Sequence, residues 1–290
     1  MADPSPGRRI RDVLAAATRR IGAESGSPGL DAELLMGHAL GVSRDVLLLS
    51  RMDDPVPPDA AGAFEALVER RWGGEPIAYI LGVRDFWTIE LRVGPGVLIP
   101  RPDTETLIEA AVAHFAGTGT APRRVIDLGT GSGALLLAAL DQWPAATGLG
   151  IDRSAEALAI AQDNARRLGM ADRATMRLGD WGEGVDERFD LLLCNPPYIE
   201  ATAVLPRDVR EHEPAGALFA GADGLDDYRA LAPVIGRLIE RGGIGCVEIG
   251  AGQADAVEFL FAAEGLAVTR HHDLAGHIRC LGVSSQNETH

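Results

Sequence analysis

The sequence Asp127-Leu128-Gly129-Thr130-Gly131-Ser132-Gly133 joins two segments with different patterns. Residues 123–128, with the apolar Val125, Ile126 and Leu128, predict a strand, and residues 134–140 have the composition of a helix. A strand, a glycine-rich turn and a helix in this order begin the nucleotide-binding half of a doubly wound α/β sheet. Glycines allow a sharp turn and a close approach of the backbone to a ligand. We therefore predict a ligand-binding loop at Gly129, Thr130, Gly131, Ser132 and Gly133.

Two further strands end in residues suited to a nucleoside. Residues 147–152 predict a strand that ends in Asp152, roughly 20 residues after the glycine loop, where an acid meets ribose hydroxyls. Asp152 equally suits the start of the helix predicted at 155–168, and both roles are compatible. Residues 174–178 predict a third strand, after which Trp181 is expected either to cover an adenine ring or to pack in the core.

The fourth strand, residues 189–194, stops at Asn195-Pro196-Pro197-Tyr198. Two prolines fix two φ angles and remove two backbone donors, so neither strand nor helix continues through them. The result is a stiff turn that presents one amide and one phenol at the edge of the sheet where α/β folds bind ligands. An ordinary loop is the alternative interpretation.

The remaining pattern completes a seven-stranded sheet. Strands are predicted at residues 245–249, 266–270 and 277–283, with helices at 228–240 and 253–264. Too few residues separate the last two strands for a crossover, so these strands must be antiparallel to each other. Residues 199–226 are expected to form a long loop over the site, and long ordered loops are usually functional.

The chain is predicted to contain a helical domain before the sheet. Residues 1–75 predict four short amphipathic helices, the first ended by Ser27-Pro28-Gly29, which we interpret as a substrate-docking bundle. Residues 76–103, including Tyr79-Ile80-Leu81, are expected to be extended and to form a β-hairpin linker. Residues 104–283 form the domain of the sheet, and residues 284–290 are expected to be a flexible tail.

Composition limits the possible compartments and chemistries. The 290 residues are 46% hydrophobic, with neither a membrane-length apolar run nor a secretory signal. The three cysteines are widely spaced in apolar runs, and the histidines show no metal-ligand spacing, so we predict a cytoplasmic protein without a disulfide or a metal site. All 27 basic residues are arginine, which excludes Schiff-base, P-loop and kinase lysine chemistry.

The charge disfavours a nucleic-acid partner. The net charge is −15, and residues 76–290 carry 18 arginines against 30 acidic residues. Affinity for a phosphate backbone comes mainly from cations, so a protein or small-molecule substrate fits an acidic chain better.

Three motifs together resemble the HemK/PrmC family of class I S-adenosylmethionine-dependent methyltransferases: residues 99–105 (Ile-Pro-Arg-Pro-Asp-Thr-Glu), residues 127–133 and Asn195-Pro196-Pro197-Tyr198-Ile199. The similarity extends over nearly the whole chain. It implies a Rossmann-like, mostly parallel sheet of seven strands with an antiparallel last strand, preceded by a small helical bundle. It also implies methyl transfer to N5 of the glutamine in the Gly-Gly-Gln motif of peptide chain release factors during translation termination. From the charge and the hydropathy we expect no direct contact with nucleic acid or membrane, and we expect a monomer.

The resemblance assigns roles to the motif residues. The glycine loop, Asp152, Trp181 and Asn195 would bind S-adenosyl-L-methionine, while Asn195, Pro196, Pro197 and Tyr198 would bind the substrate. Asn195, Pro196 and Tyr198 would be catalytic. Two alternatives remain: an adenine-N6 methyltransferase acting on DNA or RNA, which predicts a basic groove, and a cofactor-binding interaction protein, which predicts a degraded Asn-Pro-Pro-Tyr motif.

Overall fold

The computed structural model describes residues 8–285, and its elements are numbered along the chain. The helices are α1 (Ile10–Ile21), α2 (Pro28–Leu40), α3 (Arg44–Ser50), α4 (Pro58–Trp72), α5 (Ile77–Leu81), α6 (Glu105–Thr118), α7 (Ala134–Gln142), α8 (Ala155–Arg167), α9 (Arg207–His212), α10 (Asp226–Leu238) and α11 (Ala254–Ala263). The strands are β1 (Val83–Phe86), β2 (Ile89–Arg92), β3 (Arg124–Leu128), β4 (Thr147–Asp152), β5 (Ala174–Leu178), β6 (Phe189–Cys194), β7 (Ile239–Glu248), β8 (Leu266–His272) and β9 (Ile278–Ser285).

The chain divides into two compact units. The helical unit contains the residues up to Gly82 together with Leu205–His212, and the sheet unit contains Val83–Val204 and the residues from Glu213 onward. In the helical unit, α1, α2 and α4 bury a shared apolar core that includes Leu14, Leu35 and Phe64. The predicted four-helix pattern is present in this unit.

Two local predictions in the helical unit are wrong. Pro28 opens α2 instead of separating two helices, because a proline in the first turn has no helical hydrogen bond to lose. Residues Ile77–Leu81 are helical, although an extended segment was expected. A short apolar run fits a buried helix as well as a strand, and Ile80 is buried in the core of this unit.

The predicted hairpin is present but shorter than residues 76–103, and it belongs to the sheet unit. Strands β1 and β2 pair antiparallel, with Phe86 opposite Ile89. The buried Asn164 of α8 holds β2: its Oδ1 accepts from Arg92 N at 2.7 Å, and its Nδ2 donates to Arg92 O at 3.0 Å.

Within the described residues, the main sheet has seven strands in the order β5-β4-β3-β6-β7-β9-β8. Strand β9 is antiparallel to both of its neighbours, and the other pairs are parallel, as predicted. Alternate residues of β6 enter different cores: Leu191 and Leu193 pack with α6 and α7, whereas Leu192 packs with α10 and α11. Since the central strands are parallel, β3, β4 and β6 end at one edge of the sheet.

Two outer segments differ from the expected pattern. The segment 199–226, predicted as a loop, contains α9 and a 3₁₀ turn at Ala215–Ala217. The predicted tail begins at residue 284, but Ser284 and Ser285 belong to β9, and residues 286–290 lie outside the described residues. The helices of the described chain include none with the length and apolar character needed to cross a bilayer.

Candidate active site

A cavity of about 260 Å³ opens at the carboxyl ends of β3, β4 and β6. Eight residues predicted for the site line this cavity: Gly129, Thr130, Gly131, Ser132, Asp152, Trp181, Asn195 and Pro197. These motifs are spread over some 70 residues of the sequence. They therefore meet at one place, the edge of the sheet where the carboxyl ends of the central strands lie and the strand order reverses.

The glycine loop is held by backbone contacts with β4. Gly129 N and Thr130 N both donate to Ile151 O, at 2.8 and 2.9 Å. Gly129 has a φ of 73° and Gly131 a φ of 56°, and residues other than glycine rarely adopt this backbone conformation. The loop carbonyl of Ser132 accepts from Asn164 Nδ2 at 2.9 Å, so the side chain that holds the hairpin also fixes this loop.

Gly133, the last glycine of the loop, is absent from the cavity lining and instead lies against Leu137 and Ala161. Its φ is 85°, and a Cβ at this position would lie 3.0 Å from Leu137 Cδ1 and 3.3 Å from Ala161 Cβ. Glycine at position 133 therefore allows the start of α7 to pack against α8, which is a structural role next to the predicted binding role.

Asp152 joins the glycine loop to the next helix. Its Oδ2 accepts from Gly131 N at 2.9 Å, and its Oδ1 accepts from Ser154 N at 2.8 Å. Ser154, and not Asp152, caps α8, because the Ser154 hydroxyl oxygen accepts from Ala157 N. A carboxylate offers about four acceptor positions, so Asp152 retains acceptor capacity toward the cavity that it lines.

Trp181 forms a side of the cavity in a strained conformation. Its φ is 44°, which is uncommon for a bulky residue and marks a position held by its surroundings. A Cβ on Gly129 would lie 3.3 Å from Trp181 Cζ3, so the indole packs directly on the glycine loop. Trp181 also packs against the apolar core, and hence both predicted roles have a physical basis.

Asp127 is a site residue that our motif assignment missed. It lines the cavity, its Oδ2 accepts from the Thr130 hydroxyl at 2.6 Å and from Leu136 N at 3.3 Å, and its buried Oδ1 has no partner among the described residues. Burial raises the pKa of Asp127 from 3.8 to about 7, against the lowering effect of the hydrogen bond from Thr130. The signal was present in the sequence, as an acid at the end of the strand before the glycine loop.

The raised pKa of Asp127 makes stability depend on pH. The folded protein keeps a proton that the unfolded chain releases, so unfolding free energy falls as pH rises from about 4 to about 7. Each pKa unit is worth about 1.4 kcal/mol, which makes the expected change a few kcal/mol. Urea denaturation across this range should show a smaller decline for Asp127→Asn than for the wild type.

The exposed carboxyl of Asp172 provides the matched control. Asp172→Asn should keep the pH slope of the wild type. A wild-type slope in Asp127→Asn would show that Asp127 does not hold the proton.

Residues 213–217 also contribute to the cavity; they belong to the segment 199–226 that was expected to lie over the site, although none of them was assigned a binding role. Pro214, Gly216 and Ala217 line the cavity. The buried Glu213 anchors this segment, because its Oε2 accepts from Ile99 N at 3.0 Å and its Oε1 accepts from Arg101. Ile99 and Arg101 belong to the motif of residues 99–105, whose Pro100 also lines the cavity.

The Asn-Pro-Pro-Tyr turn contributes only part of its length to the cavity. Asn195 and Pro197 line it, and Asn195 Nδ2 donates to Thr104 Oγ1 at 3.2 Å. Pro196 and Tyr198 are absent from the lining, and a Cβ on Gly250 would lie 3.0 Å from Tyr198 Cδ2. The Tyr198 hydroxyl donates to Glu248 Oε1 at 3.3 Å.

Glu248 is a second buried carboxyl beside the site. It is the last residue of β7 and is 2% exposed. Burial raises its pKa to about 7, while the hydrogen bond from Tyr198 and the charge of Arg279 act in the lowering direction. Burial also raises the pKa of the Tyr198 phenol, so the hydroxyl remains a donor.

Known proteins are similar to this chain in sequence and in fold. The PrmC N-terminal domain family matches residues 12–82, and a methyltransferase domain family matches residues 120–233. The release factor glutamine methyltransferase of Rhodospirillum rubrum is 46% identical, over 94% of this chain and 83% of the relative. The chain belongs to the release factor glutamine methyltransferase family.

A second relative supports the family, and a solved structure supports the fold. The release factor glutamine methyltransferase of Cereibacter sphaeroides is 44% identical, over 93% of this chain and 96% of the relative. The fold resembles the T. thermophilus 16S rRNA methyltransferase RsmC, solved with AdoMet and guanosine, with a TM-score of 0.52, 20% identity and coverage of 70% of this chain and 50% of that one. The predicted class I methyltransferase fold is thereby confirmed.

Among residues 8–285, no group of three or more His, Cys, Asp or Glu side chains is arranged to hold a metal ion. The three cysteines are buried and free, as predicted.

Proposed function

We propose that the protein transfers a methyl group from S-adenosyl-L-methionine to the side-chain nitrogen N5 of the glutamine in the Gly-Gly-Gln motif of peptide chain release factors. One observation carries this proposal beyond family membership. Asn195, at the end of β6, lines the same cavity as Asp152 and Trp181, so a carboxamide acceptor stands beside a nucleoside-type site. This is the juxtaposition that methylation of a planar nitrogen requires.

The chemistry of an amide nitrogen explains why the site needs acceptors. Its lone pair is delocalised into the carbonyl, so the nitrogen must be oriented and its developing positive charge stabilised. Asn195 Oδ1 and the Pro196 carbonyl each accept one N–H of the substrate amide, and Tyr198 packs its ring on the amide plane. The proline ring stiffens the turn while leaving its carbonyl free. Such alignment accounts for roughly 7–11 kcal/mol in well-oriented reactions.

The cavity fits a cofactor with a diol, a ring system and an ammonium group. Asp152 suits the diol, Trp181 the ring, and the backbone of residues 129–133 allows close approach. The unpartnered Oδ1 of Asp127 is a buried acceptor that an ammonium group would satisfy. When bound, S-adenosylmethionine supplies the electrophilic methyl group.

The decisive experiment compares two acceptors. Purified protein is incubated with methyl-labelled S-adenosylmethionine and either a release factor or oligonucleotides, and mass spectrometry locates the label. We expect label on the Gly-Gly-Gln glutamine and none on nucleic acid, since the chain carries a net charge of −15. Label on oligonucleotide adenine alone would replace the proposal by the adenine-N6 alternative.

Replacing Asp152 tests the cofactor site. Loss of hydrogen bonds to a charged group removes about 1.5–3 kcal/mol, so Asp152→Ala should weaken cofactor binding roughly 10- to 100-fold by calorimetry. Asp163→Ala, at a half-buried position of α8 outside the cavity lining, is the control and should bind normally. Unchanged affinity in Asp152→Ala would leave Asp152 with only its contacts to Gly131 and Ser154.

The remaining assignments concern partners and place of action. The helical unit docks the release factor, and the protein works as a cytoplasmic monomer without direct contact with nucleic acid or membrane. The acidic charge and the match of residues 12–82 to the PrmC N-terminal domain family support these assignments. Light scattering of the purified protein tests the monomer. Deletion of the whole helical unit, that is the residues up to Gly82 together with Leu205–His212, tests docking through KM for the release factor.

A further inference from the structure

The side-chain amide of Gln253 joins three segments of the sheet unit, and one of them is the Asn-Pro-Pro-Tyr turn. Gln253 lies directly before α11 and is half-buried. Its Nε2 donates to Tyr198 O at 3.1 Å and to Gly224 O at 3.3 Å, and its Oε1 accepts from Gly250 N at 3.0 Å. Both N–H groups of the amide are therefore engaged by main-chain carbonyls.

The partners of the Gln253 amide decide which of its ends faces which segment. A main-chain N–H lies at one end and two carbonyl oxygens lie at the other, so turning the amide over would oppose like groups at all three contacts. Glutamine meets these demands, whereas an ionised glutamate of the same length has no proton to donate. The position therefore requires an amide and not merely a polar side chain.

Two glycines allow this close contact. A Cβ on Gly224, whose φ is 71°, would lie 2.4 Å from Tyr198 O and 2.8 Å from Gln253 Nε2. A Cβ on Gly250 would lie 2.6 Å from Gln253 Oε1 and 3.0 Å from Tyr198 Cδ2. Both glycines thus approach the tyrosine and the amide more closely than a residue with a side chain could.

The segment that follows β7 holds Tyr198 at two points. Gln253 binds the Tyr198 carbonyl, and Glu248, at the end of β7, accepts from the Tyr198 hydroxyl at 3.3 Å. The two prolines before Tyr198 have fixed φ angles, so little freedom remains between this anchored residue and Asn195. One end of the turn is therefore set by β6, and the other end is set by Gln253.

We propose that Gln253 is a positioning residue for methyl transfer: its amide fixes the carbonyl end of the Asn-Pro-Pro-Tyr turn, and with it the place where Asn195 and the Pro196 carbonyl meet the substrate nitrogen. The inference rests on the proposed role of this turn and adds a residue from outside the cavity lining that controls its geometry. A displacement of about 1 Å at the reacting groups can cost roughly 10²-fold in rate, so this contact acts on kcat.

Gln253→Glu tests the contact at constant side-chain length. The ionised carboxylate opposes two carbonyl oxygens and releases Tyr198 O. We expect kcat for release factor methylation to fall by roughly 10- to 100-fold, whereas KM for the release factor and cofactor affinity by calorimetry stay near wild-type values. Gln162→Glu, the same change at an exposed position of α8, is the matched control and should keep the wild-type kcat.

Gly224→Ala tests the same contact without altering the Gln253 side chain. The new methyl group displaces Tyr198 O, so kcat should fall as in Gln253→Glu. The double variant Gln253→Glu/Gly224→Ala should be no slower than the slower single variant, because both release one contact. Gly265→Ala is the matched control: its φ of 74° gives a similar backbone strain, but among the described residues a Cβ there would meet nothing within 4 Å beyond its chain neighbours. It should keep the wild-type kcat.

A tyrosine signal reports on the contact independently of methyl transfer. The chain has three tyrosines, so ring-labelled tyrosine gives a simple NMR spectrum in which Tyr198→Phe identifies the signal of Tyr198. This signal should shift in Gln253→Glu and Gly224→Ala, and it should stay in place in Gln162→Glu and Gly265→Ala.

Two outcomes would overturn the inference: wild-type kcat in folded Gln253→Glu, or equal kcat in Gly224→Ala and Gly265→Ala. Thermal unfolding shows which variants are folded, and the glycine pair decides if Gln253→Glu is not. Asn195→Ala separates this inference from the role on which it rests. Full activity in Asn195→Ala rejects the role of the turn, whereas its loss together with a fully active Gln253→Glu rejects only the role of Gln253.

Discussion

Asn195→Ala is expected to lower kcat for release factor methylation by about 10²–10³-fold, the loss seen when one preorganised polar contact to a transition state is removed. The variant deletes the acceptor that orients the substrate nitrogen, while the Pro196 carbonyl remains. The glycine loop, Asp152 and Trp181 are unchanged, so cofactor affinity should fall much less than kcat. Single-turnover transfer of labelled methyl, together with calorimetry of cofactor binding, separates the two effects.

Gln142→Ala is the matched control for Asn195→Ala. Gln142 is an exposed amide at the end of α7, and its removal should change neither kcat nor cofactor affinity. Thermal unfolding confirms that both variants are folded. Wild-type kcat in folded Asn195→Ala would remove Asn195 from the mechanism. A loss confined to cofactor affinity would make it a binding residue only.

Asp31→Ala is expected to destabilise the helical unit by about 3–5 kcal/mol, because it removes the nearest counter-ion of the buried Arg71 and leaves only Asp208, 3.9 Å away. Arg71 Nε donates to Asp31 Oδ2 at 2.6 Å, and each side chain is only 5% exposed. The same guanidinium donates to Glu24 O at 2.8 Å and to Glu75 O at 3.1 Å, so the pair joins three chain segments. Urea denaturation, with hydrogen exchange of α1 to α4 as the local probe, measures the loss.

Glu33→Ala, on the same helix, is the matched control for Asp31→Ala. It removes a 2.7 Å ion pair with Arg44, whose side chain is 42% exposed, and should cost less than about 1 kcal/mol. The double variant Asp31→Leu/Arg71→Met should recover much of the lost stability, since no charge then remains buried. Equal costs for Asp31→Ala and Glu33→Ala would show that burial does not set the value of the pair.

The sheet and half of the site follow from local patterns. Apolar runs ending in Gly129, Asp152 and Asn195 predict parallel strands, and parallel strands must end at a common edge. The helix at Ile77–Leu81 was not predictable in this way, because its five apolar residues fit a buried strand equally well. Its conformation depends on packing in the helical unit.

The supporting residues of the site depend on contacts distant in sequence. Thr104 and Asn195 are 91 residues apart, and Ile99 and Glu213 are 114 apart. Local periodicity carries no information about which side chain will meet which across such separations. The sequence predicts only that Glu248 lies in the strand at residues 245–249. Its burial and its hydrogen bond with Tyr198 identify it as a neighbour of the site.

Because Leu205–His212 belongs to the helical unit, this unit can be completed only late in synthesis on the ribosome. This unit takes its first stretch from the residues up to Gly82 and its last from a segment more than 120 residues later. The nascent chain thus cannot complete its first unit until most of the sheet unit has been translated. A fragment ending at Gly82 lacks α9, and a fragment starting at Val83 carries α9 without the rest of its unit. Expressing the chain as two fragments divided between residues 82 and 83 therefore yields two incomplete units. To obtain the helical unit alone, residues 205–212 must be joined to the fragment that ends at Gly82.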